Sequence, residues 1–172
     1  MTAVVFAFVE RFLNIDDRNF IVNIRRVKPS DVNVFVQLYT ASYKGLEEYA
    51  YIDEKDIRDY FRWLLKRDSE GFLVAELSEP VAFIACDTNW FSHFEGEILG
   101  EIHEIFVHPN YRGRRIGSLL VDRAVEYAKE KGRKTMGLWV GVNNFYAKEF
   151  YRKKGFIETV SIGKWTRMIE RI

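Results

Sequence analysis

The sequence predicts a mixed α/β (α+β) fold in which a central sheet of about seven strands carries helices on both faces. Short runs of β-branched and aromatic residues alternate with segments whose apolar residues recur at helical spacing. In chain order these read strand, two helices, three strands, helix, strand, helix, two strands, an order that calls for helices packed on a mixed sheet. At 172 residues the chain is long enough for one cored domain and too short for two ordinary ones. Residues 20–172 are taken as that single domain and residues 1–19 as an N-terminal extension.

Each element has its own signal. FIVNIRRV, residues 20–27, is β-branched and ends at Lys28 and Pro29, which reads as a first strand. Ser30 and Asp31 supply capping chemistry, and Val32, Phe35, Val36, Leu38 and Tyr39 keep a helical period toward Gly45. A second helix begins near Asp53, carries Ile57, Tyr60, Phe61, Leu64 and Leu65 on its apolar positions, and stops before Gly71. Residues 72–77 and 81–87, parted by Ser78, Glu79 and Pro80, describe a hairpin. WFSHFEG, residues 90–96, reads as an aromatic connection, and residues 98–107 as the next strand. Ile116, Leu119, Leu120, Ala124, Val125 and Ala128 mark a third long helix ending at Gly132, and residues 135–142 the strand after it. Residues 145–154 form a short helix closed by Gly155, and residues 156–162 and 164–169 a last hairpin.

Composition excludes several function classes. With 26 basic and 25 acidic side chains the formal charge is +1, so no global field draws the chain to nucleic acid or an anionic membrane. Cys86, the single cysteine, sits in an apolar run and reads as a buried hydrophobe; no disulfide or zinc site is expected. The apolar start (Val4, Val5, Phe6, Phe8, Val9) lacks a cationic flank and is broken by Glu10 and Arg11, so it reads as neither signal peptide nor membrane span. A cytoplasmic protein is expected, with this segment packed on its own domain or on a second copy in a homodimer.

HPNYRGRRIGS, residues 108–118, is a glycine and arginine loop between a strand and a helix. Free N–H groups and the macrodipole at a helix start favour a bound phosphate. Neither the dinucleotide fingerprint nor the P-loop is present. Arg112, Arg114 and Arg115 suit a phosphate site, and equally a solvated basic turn or a small nucleic-acid patch.

YRGRRIG, residues 111–117, resembles motif A of the GNAT acetyltransferases, with Arg112 at its first place and Gly117 at its last; Arg115 stands where the middle glycine is usual. With negative φ the arginine is unstrained and adds a phosphate contact; with positive φ it costs about 1 kcal/mol or more. NFYAKEFYRKKGF, residues 144–156, is similar to motif B of the same family, with Asn144, Ala147, Tyr151, Gly155 and Phe156 in register. The resemblance spans residues 20–169 and implies a splayed sheet that admits the pantetheine arm of acetyl-CoA as co-substrate. It implies cofactor contacts from Ile105, Phe106, Val107, Arg112, Gly113, Arg114, Arg115, Ile116, Gly117, Ser118, Asn144 and Tyr151, with backbone N–H groups near residues 105–107 serving the oxyanion.

The implied activity is direct transfer of an acetyl group to a primary amine. Such a reaction needs a neutral amine, a stabilised oxyanion and a proton for the leaving thiolate. Tyr151 occupies the family's acid position; core packing beside Phe150 is its alternative reading. For the base, Glu101 falls where histone lysine acetyltransferases keep a glutamate and His103 where arylalkylamine acetyltransferases keep a histidine. Strand alternation puts Glu101 and His103 on one face and Glu104 on the other. Ribosomal-protein N-terminal acetyltransferases place a glutamate on the next strand, where this chain has Trp139. Glu101 and His103 could also simply pair with each other, and so few ligands do not make a metal site.

The acceptor groove implied by the family would be walled by Tyr43, Glu47, Glu48, Tyr49 and Tyr51, and by Trp90, Phe91, His93 and Phe94. Acidic and aromatic side chains together suit a cationic amine. Protein, peptide, polyamine and small metabolite all remain open as acceptors. The alternative function is a non-catalytic module on the same fold that binds a CoA compound or peptide.

Overall fold

In a computed structural model, the structure describes residues 13–15 and 20–172. Eight strands form one sheet in the order β1-β2-β3-β4-β5-β6-β8-β7. They are β1 (Leu13–Ile15), β2 (Phe20–Arg26), β3 (Phe72–Glu76), β4 (Pro80–Ser92), β5 (Glu97–Val107), β6 (Thr135–Gly141), β7 (Ile157–Ile162) and β8 (Trp165–Arg171). Four helices cover it: α1 (Val32–Ser42), α2 (Glu54–Arg67), α3 (Ile116–Glu130) and α4 (Phe145–Lys153). The strand beyond the seven expected is β1, which comes from the N-terminal extension and pairs antiparallel with β2. The packing expected for Val4 to Val9 lies outside the described residues.

β4 is buried along most of its length because both of its faces are covered. Phe83 and Ala85 face α1 and α2, where Phe35 packs edge-on to Phe61, Phe83 and Phe106 at centroid distances of 5.1, 5.1 and 5.2 Å. Ala82, Ile84 and Cys86 face the opposite way, with Ile116, Leu120, Ala124 and Ala128 of α3 and with Tyr151 of α4. Cys86 is a buried free thiol, as expected.

Two expected boundaries move. Helix α1 ends at Ser42 rather than near Gly45, so Tyr43 turns out of the helix with φ −91° and ψ 4°. The aromatic segment at residues 90–96 is mostly strand: Trp90, Phe91 and Ser92 pair with Leu99, Ile98 and Glu97, leaving only a tight turn. Aromatic residues favour strands, and here they lengthen the hairpin instead of linking two short ones.

All neighbouring strands are antiparallel except β5 and β6, which run parallel and pair only at Gly100, Glu101 and Ile102 against Met136, Gly137 and Leu138. Past that point β6 pairs with β8 alone, and the sheet is open between β5 and β6. A buried ion cluster fastens the three strands beneath the opening. Arg167 on β8, fully buried, crosses β6 above Gly137 to hold both oxygens of Glu101 on β5, at 2.6 and 2.8 Å, and reaches Glu95 at 2.9 Å. A Cβ at residue 137 would overlap the guanidinium, so glycine is required there.

Removing one partner of a buried ion cluster leaves charge without compensation. Arg167→Met is therefore expected to cost about 3–5 kcal/mol at pH 8, and clearly less at pH 4, where Glu95 and Glu101 can be protonated. Urea unfolding at the two pH values measures the difference.

Candidate active site

The opening between β5 and β6 continues into a cavity of about 900 Å³. Its walls come from the end of α1, the α1–α2 connection, β5, the loop before α3, β6, α4 and the start of β8. The α1–α2 connection is fastened across it. The ring of Tyr49 occupies the space that a Cβ on Gly141 would take, and its hydroxyl accepts the Asn143 N–H at 3.3 Å. Lys164 reaches back to the Glu48 carbonyl.

At one end lies the glycine and arginine loop. Gly113 has φ 75° and Arg115, the N-cap of α3, has φ 59°, the only non-glycine residue with positive φ among the described residues. The left-handed conformation is thus the one adopted. It costs an arginine about 1–2 kcal/mol that glycine would not incur. No side chain caps α3, so the N–H groups of its first turn are left for a ligand. A Cβ on Gly117 would meet only Val107 and Phe150, at 3.5 and 3.6 Å, so its bare Cα serves the cavity rather than the protein's own packing. Arg112 ties the loop down: its guanidinium donates to the Val107 carbonyl at 3.1 Å and to the Ser42 carbonyl at 2.8 Å.

Of the residues expected to hold a cofactor, Ile105, Phe106, Val107, Arg112, Gly113, Arg115, Ile116, Gly117, Ser118, Asn144 and Tyr151 line the cavity. Arg114 does not; its guanidinium lies over the Tyr111 ring, 5.2 Å from the centroid. Asn144 caps α4 by accepting the Ala147 N–H at 3.2 Å. Lys153, Lys154 and Lys164 also line the cavity and were not singled out from the sequence.

Tyr151 packs its ring against Phe150 and Phe156 at 5.2 and 5.8 Å while lining the cavity, so the packing and functional readings hold together. Burial, and secondly the charge of Glu104, push its phenol well above the ordinary value. It is therefore a protonated phenol throughout the neutral range.

The expected faces of β5 are corrected by a bulge. Ala85 pairs with Glu104 and the next residue, Cys86, pairs with Ile102, so His103 is an extra residue on β5. The alternation slips there by one, and Glu104 turns toward α1 and α2, the same side as Glu101. Glu101 is absent from the cavity lining and is held by Arg167. His103 sets its Nε2 3.2 Å from Asp87, with the rings of Trp63 and Trp90 each 4.8 Å away. Glu101 is thus committed to Arg167 outside the cavity, whereas His103, its Nε2 turned to Asp87, and Glu104 both line it.

Glu104 accepts the Tyr43 hydroxyl at 2.7 Å and the Ile105 N–H at 3.1 Å, so that backbone donor, expected to serve an oxyanion, is engaged by the carboxylate. Burial pushes the carboxyl up to about 7, against the opposing hydrogen bonds of Tyr43 and the Ile105 N–H. The expected acceptor walls are also revised. Tyr43, Tyr49 and Tyr51 line the cavity, while Glu47, Glu48, Trp90, Phe91, His93 and Phe94 do not. Glu47 instead accepts the Gly45 N–H, and Trp90 belongs to the long hairpin. No group of His, Cys, Asp and Glu suited to a metal occurs among the described residues.

Residues 33–156 match the model of the Acetyltransferase (GNAT) family. An N-acetyltransferase of Archaeoglobus fulgidus, itself uncharacterised, is 52% identical over 131 residues, which is 76% of this chain and 89% of the relative. A second such protein, from Methanocaldococcus jannaschii, is 49% identical over 150 residues, covering 87% of this chain and 66% of the longer relative. A solved structure from Pyrococcus horikoshii superimposes with a TM-score of 0.80 at 37% identity, over 88% of this chain and 98% of that one. The PaiA N-acetyltransferase of Thermoplasma acidophilum, solved in complex with coenzyme A, shares the fold with a TM-score of 0.70 at 22% identity, over 88% and 99% of the two chains. With the open sheet, the anion-ready start of α3 and the family match covering most of the domain, this chain belongs to the GNAT acetyltransferase family.

Proposed function

We propose that this chain is an N-acetyltransferase that uses acetyl-CoA as donor and passes the acetyl group directly to a primary amine. The observation that carries the reading is one continuous cavity running from an uncapped helix start with cationic flanks to a buried carboxylate among tyrosines. The first part suits a pyrophosphate, because backbone N–H groups and the helix dipole both favour anions. Arg115, Lys153 and Lys154 add charge around it. The gap between β5 and β6 suits an extended, uncharged arm. Acetyl-CoA supplies the thioester, which is broken as the amine nitrogen forms the new bond.

The protein's own groups then have to move two protons. The amine must lose one as it attacks, and the departing thiolate must gain one. Tyr151 is placed to supply the second: its phenol is buried, protonated and turned to the cavity. For Glu101 the pairing with Arg167 argues against a direct part in the first transfer, whereas His103 lines the cavity with its Nε2 engaged by Asp87.

Calorimetry with acetyl-CoA should show binding of one equivalent, and a mass-spectrometric screen of amines with acetyl-CoA should show a product 42 Da heavier, the mass of about one acetyl group replacing hydrogen. Absence of acetyl-CoA binding would sink the reading; binding with no turnover over a broad panel would favour a coenzyme A sensor. Tyr151→Phe is expected to lower kcat by about 10²-fold or more while leaving the acetyl-CoA dissociation constant nearly unchanged.

Arg115 gives a second prediction. Arg115→Gly relieves left-handed strain and should raise Tm by ~2–4 °C, the shift for about 1 kcal/mol in a domain of this size. The same change removes a cation from the anion end and should weaken acetyl-CoA binding roughly fivefold. Thermal unfolding and calorimetry on one preparation test both halves.

A further inference from the structure

We infer that Glu104 is the receiving group for the acceptor: its carboxylate, set by Tyr43 and Tyr60, pairs with the incoming ammonium, takes its proton, and selects primary amines carrying a single positive charge. The inference rests on the transferase reading above and assigns the group that accepts the first proton.

Charge count is the first argument. Among the described residues lining the cavity, Glu104 is the sole carboxylate. It is buried and forms no ion pair among those residues, unlike Glu101, which has Arg167, and Asp87, which has Arg67 and His103. A buried carboxylate without a cation is costly in an empty cavity and favourable once a cation enters. One ammonium meets that need. A second positive charge on the same acceptor would find no second carboxylate, and would instead meet tyrosine rings and Lys164.

Geometry is the second argument. Both direct donors, Tyr43 and the Ile105 N–H, converge on Oε1. Tyr60 spends its hydroxyl proton on the His103 carbonyl at 3.0 Å and stands beside the carboxylate. The head group is thereby fixed from α1, α2 and its own strand, while Oε2 accepts no backbone N–H or cationic donor among the described residues. Tyr51, about half exposed, also lines the cavity and offers its ring to the apolar body of an acceptor.

The chemistry is consistent with proton removal. The ammonium N–H bond breaks, its proton goes to Glu104, and the freed pair attacks the thioester carbonyl; the C–S electrons leave with the thiolate, which Tyr151 protonates. The second nitrogen proton, released as the amide forms, restores the Tyr151 phenol, so that the one net proton of the turnover leaves from Glu104 to solvent. A base near 7 is matched to neutral operation. An α-ammonium, near 8, lies about one unit above it and an alkylammonium, near 10.4, about three. Both are reachable in the cavity, since desolvation lowers an ammonium as it raises a carboxyl. The titratable groups facing Glu104 are Tyr39 from α1, Tyr43 just past its end, Tyr51 from the connection, Tyr60 from α2, Tyr151 from α4 and His103 from β5. Burial holds the phenols of Tyr39, Tyr43, Tyr60 and Tyr151 protonated well past neutrality.

The test uses the full chain with saturating acetyl-CoA and three probes: phenethylamine, spermidine and an alanine-initiated peptide without lysine. For the better monocation, kcat/KM should rise about tenfold per pH unit on the acid side and level off above about 7. Glu104→Gln should abolish that limb and lower kcat/KM at pH 8 by about 10²-fold or more, with acetyl-CoA affinity within about threefold. Tyr43→Phe removes a hydrogen bond that favours the ionised carboxyl, so its acid limb should move to higher pH. At least one monocation should exceed spermidine by about tenfold, the expected effect of a cation left unpaired in the cavity. A Glu104→Gln enzyme within about threefold of wild type, an unmoved limb in Tyr43→Phe, or spermidine as the best of the three would overturn the inference while leaving the transferase reading intact. Failure of wild type to acetylate any amine would overturn the transferase reading, and with it this one.

Discussion

The one-residue bulge in β5 at His103 is the constraint from which the cavity follows. Before it, β5 lies parallel to β6 at Gly100, Glu101 and Ile102; after it, β5 stays with β4, and β6 continues with β8. A regular strand could have kept both neighbours. The extra residue also turns Glu104 toward α1 and α2, which converts a carboxylate of the wrong face into a lining group of the opening. The gap in the sheet and the acid within it thus have one cause.

An open sheet leaves backbone groups without their ladder partners, and each must be satisfied in another way. Here side chains do it. The Val107 carbonyl receives Arg112 and, at 3.3 Å, Ser42; the Ile105 N–H meets Glu104; the His103 carbonyl receives Tyr60. Below the gap, Arg167 joins β5, β6 and β8 through Glu101 and over Gly137, where the hydrogen-bond ladder between β5 and β6 is short. Above it, Tyr49 and Lys164 hold the α1–α2 connection to the far side. The opening is therefore fastened on several sides by polar contacts whose partners come from distant parts of the chain.

That distribution explains what could be read from sequence. Helical periods in α1, α2 and α3, and the two motifs around Gly117 and Tyr151, depend on neighbours a few residues apart, so they were legible. The partners of the Glu101–Arg167 pair lie 66 residues apart, and the pair carries no local signature. The bulge had a faint one. Ile102 and Ile105 both pack on the α3 side although they are three apart, where simple alternation would require two or four. Reading that spacing would have placed Glu104 on the groove. The tyrosines of the α1–α2 connection were visible as a cluster, but composition alone did not separate Tyr43, Tyr49 and Tyr51, which line the cavity, from Glu47 and Glu48, which do not.

Two features of this fold are expensive, and both border the same cavity. Arg115 holds a left-handed backbone that glycine would adopt without strain, and Glu104 is a buried carboxylate with no cation among the described residues. Other buried charges are compensated: Arg167 has two carboxylates, Asp87 has Arg67, and Asp68 accepts from Thr88, Tyr127 and the Gly71 N–H. Local costs persist where the surroundings impose them, and they concentrate at working sites. The signs of the two are complementary. A cation is strained into place at the end suited to an anionic donor, and an anion is left unpaired within reach of a cationic acceptor. In the same fold, relaxing either would favour stability and would leave one of the two proposed substrates without its counter-charge.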